Sequence, residues 1–313
     1  MSLDALKNTL KEVRQTNVTK TVHGRPYDAI SPTRSELNQD GKTVLITGGG
    51  TGVGLAIARA FVQASASIVI IIGRRTDVLE TAREELQAEA KACGTATSII
   101  VKTCDISKRT DVDAIWKYFE EKQMTIDVFI ANAAVFQEAG TMVSMGTGKI
   151  WEMMEVNVKA PMEFAEKFVN QSGEKQKFIV NVTTGNIHGT HHPVVSTFPA
   201  YTLTKMAGTL YFQFLAQELV SNRVQILSFH PGLIFNPYWE TVGLGRELFD
   251  DERLAGQFAL WSATKEAAFL NGRTVWSTWD VEELARGDIR KKIDEDFYFL
   301  RGTIAGVELG MMP

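Results

Sequence analysis

Tyr201 and Lys205 are spaced for proton chemistry. Four positions apart in a segment of helical pattern, they share one helix face, and the lysine ammonium reaches the region of the phenol. A free phenol keeps its proton to about pH 10. A nearby cation favours phenolate, so the pair is suited to giving a proton to a carbonyl oxygen and taking it back from the alcohol. A core tyrosine beside a surface lysine has the same spacing, so the pair needs company before it means catalysis. That company is the run Thr47-Gly48-Gly49-Gly50-Thr51-Gly52-Val53-Gly54, which follows an apolar strand and leads into LAIARAF. Glycines admit positive φ and let backbone amides close on a pyrophosphate, while the next helix offers unpaired N–H groups and the positive end of its dipole. A tight strand-to-helix turn is the competing reading. Five glycines with the correct flanks favour a nucleotide.

The second apolar strand ends IVIIIGRRT, with Gly73 where a carboxylate would bind adenosine ribose hydroxyls and Arg74 and Arg75 directly after it. A guanidinium pairs with a 2′-phosphate through charge-assisted, bidentate hydrogen bonds, whereas a carboxylate would repel it. NADP(H) is therefore expected over NAD(H), against the alternative of two solvated arginines at a helix start.

The elements that must position these residues alternate along the chain. Strands are predicted at 43–47, 68–72, 98–103, 128–131, 178–182, 224–229 and 273–277, and helices at 54–64, 76–92, 108–122, 149–171 and 199–219. The strands are continuously apolar, as in a parallel sheet covered on both faces. This gives an α/β, doubly wound Rossmann-type fold with a parallel sheet of about seven strands and helices on both faces. Residues 1–40, with GRPYDAISPTRSEL and weak apolar periodicity, read as an N-terminal arm, and 41–313 as one catalytic domain. The irregular stretch about 233–270 reads as the substrate-loop region.

The 313 residues, 44% hydrophobic, are enough for one large core, and the net charge of −4 carries no basic stripe for nucleic acid or an anionic membrane. Cys93 and Cys104 form neither a disulfide framework nor a zinc motif, which fits a reducing compartment. The opening MSLDALKNTLKEVRQ is amphipathic and charged, unlike a signal peptide, and the apolar run at 66–72 is too short to span a membrane. A cytoplasmic protein with a small-molecule substrate is expected.

The glycine spacing is TGxxxGxG. It is followed in order by Asp105-Ile106, Asn132-Ala133-Ala134, Asn157, the YxxxK pair and Pro231-Gly232. Over about 41–277 the sequence resembles the classical short-chain dehydrogenase/reductase family. The resemblance implies cofactor contacts from Thr47, Gly48, Thr51, Gly52, Val53 and Gly54, from Asp105 and Ile106 around the adenine, and from Asn132, Ala133, Gly232 and Ile234. It also implies that Tyr201 and Lys205 touch the cofactor, Lys205 through the nicotinamide ribose, and that Asn157 holds a water linking the lysine to solvent. The family's substrate-binding serine is replaced by Thr184, whose methyl fixes χ1 and tightens the site; Thr183 and Ser196 are the alternatives. Ala134 stands for the usual glycine, and Asn236 for the threonine of PGxxxT.

His188, His191 and His192 have metal-like spacing without a carboxylate or cysteine nearby, so they read as residues of the active-site entrance or of solvent. Phe136, Met142, Met145, Phe198, Phe235, Tyr238 and Trp239 could line a pocket for an apolar or aromatic substrate, or belong to the core. FLNGRTVWSTWDVEEL resembles family reductases of fungal secondary metabolism, which points to a ketone on a polyketide-like or terpenoid scaffold. The expected activity is NADP(H)-dependent reduction of a ketone or oxidation of the alcohol. The alternatives are an isomerase or cyclase using the same fold, or a non-catalytic NADP(H) sensor. The resemblance also implies a homodimer or homotetramer built through 149–171 and 199–219.

Overall fold

A computed structural model describes residues 3–136, 139–219 and 223–303. Seven strands, β1 (Thr43–Thr47), β2 (Ile68–Gly73), β3 (Ser98–Thr103), β4 (Val128–Ala131), β5 (Lys177–Val182), β6 (Val224–His230) and β7 (Thr274–Trp276), make one sheet in the order 3-2-1-4-5-6-7. Every neighbouring pair is parallel, with Thr43 opposite Ile68 and Val44 opposite Val128. The helices are α1 (Leu3–Glu12), α2 (Gly52–Gln63), α3 (Thr76–Cys93), α4 (Arg109–Glu121), α5 (Met142–Met154), α6 (Ala160–Val169), α7 (Pro199–Glu218), α8 (Pro237–Thr241), α9 (Glu252–Ser262), α10 (Val281–Leu284) and α11 (Gly287–Glu295).

Alternation along the strands divides the core into two layers. Val44 and Ile46 face one side, with Phe61 of α2 and Phe258 of α9; Leu45 faces the other, with Trp116 of α4, Phe164 of α6 and Phe212 of α7. Both faces of the sheet are therefore covered, which is why β1 is buried at all five positions. The order reverses between β1 and β4, and ligands of doubly wound sheets bind in the crevice at such a point.

Two elements differ from expectation. The segment before Gly41 is not a loose arm: short 3₁₀ turns at Asp28–Ile30 and Ser35–Leu37 bury Ile30 and Leu37 completely in the core beside α9. Val22 bridges Trp279, and the amide of His23 donates to the Thr278 carbonyl at 2.7 Å. Single apolar residues separated by polar ones carry no periodicity, so these anchors leave no mark in the sequence pattern. The predicted helix 149–171 is also broken. A π turn, Glu155–Lys159, separates α5 from α6, and its extra residue turns Asn157 inward. Among the described residues no helix is long and apolar enough to cross a membrane, and no cluster of three or more His, Cys, Asp or Glu could hold a metal ion.

Candidate active site

Because all strands run the same way, the loops after β1 to β6 meet at one edge of the sheet. There, a cleft of about 490 Å³ is bordered by Gly48, Gly50, Thr51, Val53 and Gly54 from the glycine turn and by Arg74 and Arg75 beyond β2. Asp105 and Ile106 after β3, Asn132 and Ala133 after β4, and Tyr201 and Asn236 complete it. The turn is built for close approach of backbone. Gly48 (φ +66°) and Gly52 (φ +53°) need the left-handed region, and a Cβ on Gly54 would overlap the Gly48 carbonyl and the Asn132 amide. Asn132 braces the turn, its Nδ2 donating to the carbonyls of Thr47 (2.8 Å) and Gly48 (3.3 Å).

Five expected cofactor residues, Thr47, Gly52, Lys205, Gly232 and Ile234, do not border this cleft. The Thr47 hydroxyl is buried between strands, donating to the Ile130 carbonyl (3.2 Å) and accepting from the amides of Asn132 (3.0 Å) and Ala133 (3.1 Å), so it ties β1 to β4. Gly52 shapes the start of α2 instead. Gly232 and Ile234 border a second cavity, described below. Gly50, Gly73 and Val78 border the cleft without having been expected to bind there.

At the basic end, Arg74 and Arg75 are exposed. Asp105 takes hydrogen bonds from the hydroxyl (2.7 Å) and amide (3.1 Å) of Ser107. Burial pushes its pKa up, but these bonds and the charges of Arg74 and Lys108 outweigh that and hold it below the ordinary carboxylate value.

The second cavity, about 510 Å³, shares Phe136, Tyr201 and Asn236 with the cleft. Tyr201 therefore stands where the two meet. Its ring packs edge-on to Phe136, 4.8 Å between centroids, and its hydroxyl is hydrogen-bonded to Thr184. Thr184, just past β5, also accepts from the Asn186 amide at 3.3 Å. The alternatives are occupied elsewhere: Thr183 bonds Thr209 (2.6 Å) and Ser196 donates to the Pro193 carbonyl (2.9 Å).

The electrostatics correct the expectation of a phenol lowered by its lysine. Burial raises the pKa of Tyr201 to about 12, with the Thr184 bond opposing it, and burial lowers that of Lys205 to about 8. The ammonium points at the strand instead, donating to the Val182 carbonyl at 2.6 Å. Asn157 exchanges hydrogen bonds with the backbone of Val135 (2.7 and 2.9 Å) and donates to the Thr204 hydroxyl (2.9 Å). Asn157, Asn181 and Lys205 border an internal void of about 10 Å³, close to the size of one water.

The rest of the second cavity is apolar on one side, with Phe136, Phe198, Val195 and Trp239, and polar at its floor, with His188, His192, His230, Trp276 and Thr278. Of the expected lining residues, Phe235 packs with Trp239 and Phe249 rather than bordering the cavity, as do neither Met142 nor Met145, and the side chain of Tyr238 lies outside the described residues. His191 is exposed. Burial holds His188 below the ordinary imidazole value, and burial, with repulsion from His188 whenever that ring is protonated, takes His230 to about 3, so both rings are neutral near pH 7. His230 Nδ1, Trp276 Nε1 and Thr278 Oγ1 have no hydrogen-bond partner among the described residues. His188 and His192 were among the residues expected at the active-site entrance; sequence reasoning missed His230, Trp276 and Thr278, and the one signal was the position of His230 directly before Pro231-Gly232.

The sequence profile of the short chain dehydrogenase family matches residues 42–244. The chain is 34% identical over 269 residues to a short chain dehydrogenase/reductase of Claviceps purpurea, covering 85% of this chain and 87% of that protein. It is 30% identical over 284 residues to the short chain dehydrogenase/reductase AacuD of Aspergillus aculeatus, covering 90% and 94%. Among solved structures, the L-sorbose reductase of Gluconobacter frateurii, complexed with NADPH and L-sorbose, superposes with a TM-score of 0.68 at 20% identity, over 77% of this chain and 96% of that one.

Proposed function

This chain belongs to the short-chain dehydrogenase family, and from that premise we propose that it is an NADP(H)-dependent oxidoreductase that reduces a ketone, or oxidises the matching alcohol, on an apolar or aromatic substrate. The observation that carries the reading is the position of Tyr201, a half-buried, protonated phenol bordering both the glycine-lined cleft and the separate cavity. The cleft fits a dinucleotide: a turn that a Cβ would block, two exposed arginines at one end and the phenol at the other. Bound there, NADP(H) supplies or accepts the hydride.

The chain's own residues do the rest. The glycine turn and the start of α2 hold the pyrophosphate. Arg74 and Arg75 hold the 2′-phosphate, Asp105 and Ile106 flank the adenine, and Asn236 is available for the carboxamide. Tyr201 gives its proton to the carbonyl oxygen in reduction, and Thr184, bonded to the same hydroxyl, orients it and stabilises the phenolate left behind. Lys205 and Asn157 border the internal void through which the proton is replaced. Phe136, Phe198 and Trp239 give the cavity the apolar surface for an aromatic or terpenoid ketone. The NADPH bound to the Gluconobacter enzyme and the fungal origin of the two relatives support cofactor and substrate class. The apolar residues Trp151, Met162, Leu203 and Phe214, exposed on α5, α6 and α7, support a homodimer or homotetramer through these helices.

Calorimetry with NADPH and NADH, on the parent protein and on Arg74→Ala, tests the cofactor. NADPH is expected to bind tightly, NADH weakly, and Arg74→Ala to lose affinity for NADPH alone, roughly ten- to 100-fold for one charge-assisted contact. Failure to bind either nucleotide sinks the dehydrogenase reading. Tyr201→Phe then separates redox from template chemistry: a redox enzyme loses most turnover with cofactor affinity kept, and an isomerase or cyclase does not.

A further inference from the structure

The second cavity has a wall that comes from outside the sheet. Leu10, Val13, Arg14 and Thr16 border it from the N-terminal side, opposite Phe198 and Val195. These residues belong to α1 and the turn that follows it. A helix of ten residues is not stable in water alone, so α1 exists because it is docked. Its docking is small and local. Leu10 is buried in a satellite cluster with Trp239 and Leu244, and Val13 packs on it; this cluster is separate from both main core layers.

The wall is held at two points of different kinds. Its base is pinned: Trp279 Nε1 donates to the Thr16 hydroxyl at 2.8 Å, and the amides of Lys20 and Thr21 donate to the Glu283 carboxylate at 2.6 and 2.9 Å. Its outer part is held by Leu10 and by one ion pair, Arg14 with Asp250. The Asp250 side chain is fully buried, and its other oxygen accepts from the Leu233 amide at 2.7 Å. Asp250 thus binds both the wall and the loop after β6 that carries Asn236 and Trp239. Gly232 (φ +94°) is fitted to this contact, since a Cβ there would lie 2.8 Å from the Asp250 carboxylate. A buried carboxylate without its cation is strongly unfavourable, so the ion pair fixes the wall in one position.

We propose that residues 10–17 are the outer wall of the substrate cavity and set the size of ketone it accepts, with the Arg14–Asp250 ion pair as the latch that keeps the wall closed. This rests on the reading that the 510 Å³ cavity takes the substrate.

The test separates the wall from the activity. Val195 borders the cavity and is 7% exposed. Val195→Cys is placed in a Cys93→Ser, Cys104→Ala background, and the rate of reaction with a bulky maleimide is measured with the latch intact and with Arg14→Met. Leu10→Ala, which loosens α1 without placing a charge beside Arg14, is the second variant should Arg14→Met fold poorly. Opening the wall is expected to speed labelling at least tenfold in either variant, with Arg14→Lys restoring most of the protection. In parallel, without the cysteine, NADPH affinity stays within twofold, because none of residues 10–17 borders the glycine-lined cleft. The ratio of kcat/KM for 9,10-phenanthrenequinone over 2,3-butanedione rises at least fivefold. Equal labelling rates overturn the wall. Faster labelling with an unchanged ratio overturns its role in selectivity. Faster labelling in a protein that reduces no ketone at all leaves the wall standing and removes the dehydrogenase reading instead.

Discussion

Thr184→Val is the substitution that bears most directly on the chemistry, because it deletes one hydroxyl and keeps the branched shape of the side chain. In the structure that hydroxyl is bonded to Tyr201 and accepts from the Asn186 amide at 3.3 Å, at a residue only 8% exposed. Its bond to Tyr201 favours phenolate, the form that exists after the proton has been given away. A hydrogen bond to a charged group is worth about 1.5–3 kcal/mol net. Each 1.36 kcal/mol is a factor of ten in rate. Thr184→Val should therefore lower kcat/KM roughly ten- to 150-fold, with NADPH affinity unchanged, since Thr184 does not border the cofactor cleft. Losing the cap on the 3₁₀ turn Gly185–His188 costs about 1 kcal/mol of stability, which melting separates from the kinetic effect. The assay is NADPH oxidation at 340 nm with 9,10-phenanthrenequinone at pH 7, beside Thr184→Ser and Thr183→Val. Thr184→Ser should keep most activity, and Thr183→Val should alter stability more than rate, its hydroxyl being tied to Thr209. A Thr184→Val enzyme with more than half the parent kcat/KM, or a Thr183→Val enzyme with the larger kinetic loss, would refute the assignment.

The neutral His230 makes stability depend on acid. Its folded pKa of about 3 lies below the ordinary 6.5, so the unfolded chain takes up the proton first; the stability is whole above about pH 6.5 and is lost as pH falls, by at most about 1.4 kcal/mol per unit, and by less where cavity water reaches the ring. Urea melts from pH 7.5 to 5 should show this loss, with His188 adding in the same direction, and His230→Gln should flatten it; parallel curves would exclude the ring as the cause. Phe214, 59% exposed on α7 beside the other apolar residues of that face, should matter for assembly, and Phe214→Glu is expected to lower the mass seen by analytical ultracentrifugation to one chain; an unchanged sedimentation coefficient moves the interface elsewhere.

The sheet and the cofactor cleft were legible because each has a local signature. β1, β3 and β4 were placed to the residue, β2, β5 and β6 to within one residue at one end and β7 to within one at each end, because burial on both faces makes a strand apolar throughout. The glycine turn was legible because close backbone approach at Gly48 and Gly54 admits no other residue type. The second cavity was legible only in part: Phe136, Phe198, Trp239 and Thr184 were expected there, whereas the rest is assembled from distant pieces. His230 and Trp276 end β6 and β7, and Asp250 and Arg14 meet across most of the chain. None of them carries periodicity or a motif of its own. The choice among Thr183, Thr184 and Ser196 was open for a related reason: Thr183 and Thr184 both border the cavity, and only the fold ties the Thr183 hydroxyl to Thr209 and leaves that of Thr184 for Tyr201.

The lowered pKa of Lys205 and the raised pKa of Tyr201 have one origin and a joint consequence. Lys205 is buried and Tyr201 half-buried, and the loss of water disfavours the charged form of each, which keeps the proton on the phenol and weakens the hold of the amine on its own. The cavity beside them carries polar groups but little net charge: His188 and His230 are neutral, and Arg14 cancels Asp250. Charge that develops when the phenol releases its proton is therefore poorly screened, and neighbouring dipoles and cations act on it strongly. The phenol thus holds its proton more firmly than the ammonium, whose Nζ donates to the Val182 carbonyl. Lys205 sits one helical turn away, against the void shared with Asn157, which is close to the size of one water. On the proposed reading, Tyr201 is expected to hold its proton ready for reduction, with Lys205 as the group that restores it. This direction is tested by the pH dependence of reduction, whose rate should fall once the lysine is neutral, above about pH 8.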